Sequence, residues 1–572
     1  MRAVWLVPAI WITLTSVAAI AAGSVDDCTQ HTDARQRIDG CTAVVEAGDR
    51  SSAELAWAYT LRGIAYAELG RYENAIADYD LAIGHDPDAT AAIYNRGRVQ
   101  EILGRFAPAV ADYRLALRLN PGSAAAYRSR GRVHGKLGAY ERAIADYSQA
   151  IELDPVHAAG YFGRANARAN LGQPEQAIAD YDVAIQLDPD YAAAYGNRGL
   201  AYADLGLFER AIEDYDMARR LDASDANVHF NRGNANLKLA RYRQAIDDFD
   251  QVIRLVPDDA VAYTHRGASY RDLGRPDLAI QDYDRAIRLD PDYDVAYYNR
   301  GNAYADLGQT ERAINDYDRA ISLDPDYAIA YRARAVAYRQ LGQPERAIAD
   351  YDRAIQHNPN DATAYLNRGN AHLGLGRPAR AVADYDQAIG IAPDYALAFH
   401  NRASAHVELG RPEQAILDFD RAIELKPDFA PAFAARGMAY FELGQPDRLV
   451  ADYREAVTLE PSAVRWSGLA WARFLTGQTE PALADIDKSL ALEPNDVYAL
   501  DIRAHILAAL GRTDAALGDF ERAVALGGTD LAREYQKALV GHGYEVAVDG
   551  TWGPASRAAL KTCLENGCRL IE

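Results

Sequence analysis

A period of 34 residues runs through most of this chain and leaves few folds open to it. Leu-Gly recurs at that step from Leu69-Gly70 to Leu205-Gly206 and again from Leu273-Gly274 to Leu443-Gly444, with Leu239-Ala240 filling the gap. Prolines keep the same step from Pro87 to Pro461, with Ala223 in one slot. One residue is then lost, and Gly477, Pro494 and Gly511 mark two looser copies. Fourteen copies run from Ala56 to Asp530, 475 of the 572 residues. Self-similarity at this period means one supersecondary unit stacked on copies of itself.

Each copy reads as two helices. In Asp294 to Tyr327, Tyr297, Gly301 and Tyr304 recur at helical spacing and Leu307-Gly308 breaks the run. Ala313, Tyr317 and Ala320 share one face of a second run, which Asp324-Pro325-Asp326 stops. Gly301 and Ala313 are small where the two helices must approach. An Arg precedes the small residue in every copy from Arg62 to Arg436, and an Asp recurs in the second helix from Asp78 to Asp452. The expected arrangement is an Arg–Asp ladder tying helices together, because a recurring charge beside a core is usually paired. The competing arrangement, a row of guanidinium groups for an acidic ligand, requires the Asp row to point elsewhere.

These residues resemble the tetratricopeptide repeat (TPR) family, with Tyr297 standing for the usual first Trp and an Arg where the family usually has an apolar residue. The resemblance implies an all-α, right-handed superhelix whose inner groove, lined mainly by the first helices, binds proteins or extended peptides. One place before the Arg stand Asn95, Asn197, Asn231, Asn299, Asn367 and Asn401, and one place after the signature Gly stand Asn166, Asn234, Asn302 and Asn370. These positions lie off the stripe of Tyr297, Gly301 and Tyr304 and are expected to face the groove. An amide offers donor and acceptor together, which suits a peptide backbone of any sequence. The arrangement is similar to the asparagine ladder of O-linked N-acetylglucosamine transferases, whose catalytic half has no counterpart here. Solvated or helix-local amides are the competing reading. Tyr298, Val295, Phe230, Ile329 and Arg332 would add groove contacts.

The two ends differ from the repeat. Arg2, the apolar run Ala3–Ile20 and a small-residue end read as a cleaved export signal over residues 1–23, with an uncleaved membrane anchor over Ala3–Gly23 as the competing reading. No other run is apolar enough to span a membrane, so no span is expected after cleavage. Four cysteines in an exported chain read as disulfides with three possible connectivities, of which the local pairs Cys28–Cys41 and Cys563–Cys568 are favoured because each closes a short loop at one end. Within a segment spanning residues 24–55, an amphipathic helix over Asp33–Ala47 with Ile38, Cys41, Val44 and Val45 on one face would cap the stack. After the solenoid (residues 56–530) the period stops. Leu531–Val540 and Ala555–Glu565 read as helices around turn chemistry. GYEVAVDGTWGPASRAAL resembles the small three-helix peptidoglycan-binding domain, which implies wall contacts for Tyr544, Asp549, Trp552 and Arg557 in a module over residues 531–572. A loop one residue short and Cys563-Leu564 in place of the aromatic-Gln pair depart from that family. The competing role for this tail is a cap on the last repeat.

Composition narrows the function. A formal charge of −21 lacks the basic footprint that nucleic acid or an anionic membrane requires. There is no phosphate loop, HExxH or nucleophile elbow, and no metal-ligand spacing among the 12 His. The sequence therefore predicts a non-enzymatic periplasmic scaffold without cofactor or metal, binding a protein or peptide in its groove and held to peptidoglycan by its tail. The alternative is a receptor for cell-wall fragments, with the tail acting only as a cap.

Overall fold

The structure is a computed structural model that describes residues 28–29 and 33–567. The expected signal segment and Cys568 lie outside them. The chain divides into two units, Met1–Leu289 and Asp290–Glu572. Each contains seven helix pairs, from Ser52–Glu68 with Tyr72–His85 to the pair ending at Leu289, and from Asp294–Asp306 with Thr310–Leu323 to the pair whose second helix begins at Thr513. The architecture is an all-α helix-turn-helix solenoid, with no strand among the described residues.

Local chemistry sets the helix ends. In Asp294–Asp306, Gln309 N–H donates to Tyr304 C=O at 2.8 Å and Gly308 N–H to Ala305 C=O at 2.9 Å. This is a Schellman end, and it puts Gly308 at φ 70. Ala240 makes the same turn at φ 54, where a Cβ costs about 1 kcal/mol. The second helices stop at turns such as Asp324-Pro325-Asp326, where the Asp324 carboxylate accepts from Asp326 N–H at 3.0 Å.

Packing explains the signature. A Cβ on Gly301 would lie 2.6 Å from Cε1 of Tyr317, so this ring sits closest where the first helix has glycine, and only a side chain as small as that of Ala335, opposite Tyr351, stands there in other copies. Tyr317, Ala313 and Ala320 are buried. Such a ring, at about 1.5–3 kcal/mol of burial, is the core of each hairpin except the one in which Ile486 takes its place. The first helices are half-buried along their length, whereas the second helices carry an exposed strip such as Glu311, Arg312, Asn315, Asp318 and Arg319. Within each unit successive first helices touch, and successive second helices are set further apart. Each unit therefore curves toward its layer of first helices.

The Arg–Asp ladder is present and extends further than the sequence reading drew it. Arg402 Nε donates to Asp418 Oδ2 at 2.8 Å and its Nη2 to Oδ1 at 2.6 Å, a bidentate fork joining the two helices of one repeat. Its Nη1 donates to Asp386 Oδ1 at 2.6 Å, on the second helix of the preceding repeat. The Phe399 ring lies under the same guanidinium at 5.4 Å. An Arg with both partners thus pins three helices. Its pKa is raised, chiefly by the hydrogen bond to Asp418, so it stays charged at any working pH.

The ends are covered. Asp33 caps Ala34–Glu46 by accepting from Arg35 and Gln36 N–H. Cys28 is bonded to Cys41, and both pack with Val44 and Ala58 of the first repeat. At the other end Thr513–Gly541 is broken by Gly528 at φ 72 and ψ −158, so a fresh helix starts after it. That helix and Pro554–Glu565 share one core with the last repeat, in which Tyr535, Leu539, Leu560 and Cys563 meet Leu517 and Phe520. Cys563 is disulfide-bonded.

The lattice makes a graded prediction. Arg402→Met strands the buried Asp418 carboxylate and is expected to cost about 3–5 kcal/mol in urea unfolding. Asp386→Asn, which alters only the half-exposed partner, is expected to cost under about 1 kcal/mol.

Candidate functional site

The layer of first helices carries the predicted asparagines, all half-buried. They fall into two groups. In the first unit Asn166 Oδ1 accepts from the Tyr181 hydroxyl at 2.5 Å and from Asn197 Nδ2 at 2.8 Å, across consecutive repeats. The second unit repeats this: Asn370 Oδ1 accepts from Tyr385 at 2.8 Å and from Asn401 Nδ2 at 2.8 Å. Asn302 Oδ1 accepts from Tyr317 at 2.8 Å. These amides are held in one orientation by a buried ring, a role the sequence reading did not anticipate. The signal was there: each of these Asn stands fifteen places before the buried Tyr.

The side-chain amides of Asn95, Asn231, Asn234, Asn299 and Asn367 form no hydrogen bond within the described residues. Asn234 stands fifteen places before Phe249, which has no hydroxyl to give it. Tyr298, expected to be a groove contact, packs against Tyr317 and Tyr327 at 6.1 and 5.3 Å and acts as much as an inter-repeat wedge as an open face. Arg332 pairs with Asp361 at 3.2 Å. Ile329 is partly exposed.

The tail residues singled out for wall contact are engaged within the fold. Asp549 Oδ1 accepts from Thr551 N–H at 2.7 Å and from Gln536 Nε2 at 3.2 Å. Gln536 also accepts from Gly550 N–H at 2.9 Å, so the VDG turn is wired to the preceding helix. Trp552 lies edge-on to Tyr535 at 6.0 Å, and Arg557 pairs with Glu521 of the last repeat at 2.8 Å. Tyr544 accepts from Asn566 Nδ2 at 3.2 Å and lines a shallow open hollow with Val540, Glu545 and Val546. The motif is thus satisfied as a folding motif, and Tyr544 keeps an accessible surface. No group of His, Cys, Asp and Glu fit to hold a metal occurs among the described residues. No helix among them is long and apolar enough to cross a membrane.

His400 replaces the Tyr298-type residue in its repeat and sits between Phe419 and Phe429 at 5.5 and 5.1 Å. Burial, helped by the Arg465 cation, pushes its pKa down to about 4.

Models of the tetratricopeptide repeat match residues 56–89, 90–123, 128–192, 199–239, 226–259, 267–308, 301–342, 333–396, 396–429 and 430–462, together more than half of the chain. The protein belongs to the tetratricopeptide repeat family, whose units are as a rule protein- and peptide-binding scaffolds rather than catalysts. Solved structures similar to it include the Cut9–Hcn1 hetero-tetramer of the APC/C, at 16% identity over 79% of this chain and 96% of that one with a TM-score of 0.37. A tetratricopeptide repeat protein from Parabacteroides merdae matches at 20% identity over 43% and 98%, TM-score 0.38. YrrB, described as a TPR protein with an unusual peptide-binding site, matches at 26% identity over 32% and 95%, TM-score 0.27. No curated protein matches the chain.

The buried His400 sets a pH dependence. An unfolded His binds its proton near pH 6.5 and the folded one only near 4, so stability is lost as pH falls through that window. The slope is at most one proton, about 1.4 kcal/mol per pH unit. His400→Phe is expected to flatten the fall in Tm between about pH 6.5 and 4.5.

Proposed function

We propose that this protein is an exported, periplasmic scaffold that grips an extended polypeptide along its layer of first helices through asparagine amides. The observation that carries the reading is the tyrosine-fixed amide pair. With Asn166 Oδ1 occupied by Tyr181 and Asn197, Asn166 Nδ2 and Asn197 Oδ1 are left as a donor and an acceptor held side by side. Asn370 and Asn401 repeat the pair in the second unit. A peptide unit offers the complementary acceptor and donor, and fixing the amides beforehand lowers the entropic cost of binding. The five asparagines whose side-chain amides have no protein partner add further sites of the same chemistry. The ladder Arg side chains of the same layer are committed to carboxylates, which leaves the amides as the repeated recognition groups and favours recognition of backbone over charge. The oxidised Cys28–Cys41 pair supports an extracytoplasmic home.

Peptidoglycan tethering is a second reading, favoured by the hollow beside Tyr544. The internal use of Asp549, Trp552 and Arg557 favours the tail as the solenoid's cap. A receptor for wall fragments places the same amides against muropeptide instead of protein.

Two experiments separate these readings. Asn299→Ala with Asn367→Ala is expected to weaken an uncharged peptide selected from a random library by about tenfold with Tm unchanged, whereas Asn370→Ala strands the Tyr385 hydroxyl and lowers stability by about 1–3 kcal/mol. Binding that survives the double variant contradicts the amide reading. In co-sedimentation with intact peptidoglycan, the full mature chain stays in the supernatant if the tail is a cap. Pelleting that Tyr544→Ser abolishes assigns the tail as a tether, and pelleting that soluble muropeptide competes away while Tyr544→Ser leaves it intact assigns the groove to wall fragments.

A further inference from the structure

The lattice varies in a few copies: Arg164 gives its Nη1 to the Ser148 hydroxyl at 3.1 Å, and Leu469 stands in the place of the ladder Arg, but among the described residues Arg130 keeps its fork and lacks a second partner. In nine copies the ladder Arg gives its Nη1 to a second carboxylate on the preceding repeat, as in Arg96–Asp80, Arg198–Asp182 and Arg266–Asp250, each at 2.6 Å. Arg130 gives its Nε and Nη2 to Asp146 but has no such second partner. The place of the carboxylate is taken by Arg114, which is exposed and has no ion-pair partner within the described residues.

The surroundings show the same bias. Around Arg232, the Asp216 seat opens into a crevice of about 300 Å³ between consecutive second helices, where Gln244, Asp247 and Arg241 complete the wall. Three repeats earlier the equivalent places hold Arg114 for Asp216, Arg142 for Gln244 and Ala145 for Asp247. Only Arg241, replaced by Ala139, changes in the opposite sense. Arg142 is exposed and, like Arg114, has no ion-pair partner within the described residues. The one carboxylate beneath, Asp146, is consumed by Arg130 and by His134 Nδ1 at 2.9 Å. By repeat equivalence three guanidinium groups fall on places that elsewhere hold one Arg, a carboxylate and an amide, in a protein whose overall charge is −21.

We propose that the surface where Phe106–Leu119 and Tyr140–Leu153 flank Arg130 is a docking seat for an acidic segment of a partner protein. A glutamate or aspartate side chain of the partner takes the place that Asp80, Asp182 or Asp250 fills elsewhere, accepting from Arg130 Nη1, while Arg114 and Arg142 bind a neighbouring carboxylate. The rest of the solenoid shows that this position accommodates a carboxylate, and the local charge selects for one. The seat lies on the second-helix side, apart from the asparagine layer, so it stands whatever that layer binds.

The test uses the full mature, oxidised chain and a fluorescein-labelled hexaglutamate peptide at low ionic strength, read by anisotropy. Saturable binding is expected. Arg114→Asp, which restores the usual lattice and is expected to fold at least as stably, should weaken it by about tenfold or more. Asp182→Arg, which copies the break at Arg198, should add a second site. Absence of saturable binding, or equal binding by wild type and Arg114→Asp, overturns the proposal. So does binding of inorganic phosphate, read by calorimetry, by a chain that does not bind hexaglutamate.

Discussion

The structure hangs on a planar cation shared between three helices. A guanidinium presents five donors in a fixed plane, and here two serve the carboxylate of its own repeat while another serves the carboxylate of the repeat before. Arg402 with Asp418 and Asp386 is the pattern, and Arg334 with Asp350 and Asp318 repeats it. Lysine has the charge without the fork and could not set the same angle. Because the fork fixes both the hairpin and its neighbour, it sets the register of stacking, which hydrophobic burial alone leaves loose. Most of the core is alanine, with one aromatic ring in every hairpin but one, so a directional contact is needed to specify one stacking geometry.

That commitment shapes what the surface can do. The Arg row that could attract an acidic ligand is neutralised from within, and the Asp row that could attract a basic one is half used. The groups that recur along the first-helix layer and stay outside the ladder are the amides. Tyrosine hydroxyls then do for Asn166, Asn302 and Asn370 what the carboxylates do for the Arg row: they fix an orientation. The exception at Arg114 shows the rule, since exchanging one Asp for Arg turns an internal seat into a surface one.

Much of this was legible in the sequence because a repeat states each constraint many times. Gly301 facing Tyr317, the Leu307-Gly308 turn and the Asp-Pro stop are local, and local steric rules decide them. The intra-repeat fork was legible from the constant spacing between Arg62 and Asp78. Its second arm, to Asp386 or Asp318, depends on how one hairpin sits on the next, and helical periodicity within a hairpin says nothing of that. The amide pairs were missed for the same reason: Asn166 and Asn197 belong to different copies. The tail was read for its resemblance, and Asp549, Trp552 and Arg557 do hold the motif's own turn and core together. A motif's residues can be retained for folding alone, so their presence left the ligand undecided.

The central claim is that the ladder commits its Arg row to carboxylates and leaves backbone recognition to amides. The direct measurement is the affinity of an uncharged peptide, selected on the mature chain, between about 50 and 500 mM sodium chloride. Recognition by amides predicts an affinity that changes little over that range. A fall of an order of magnitude or more would show that charged groups carry the binding and would contradict the account.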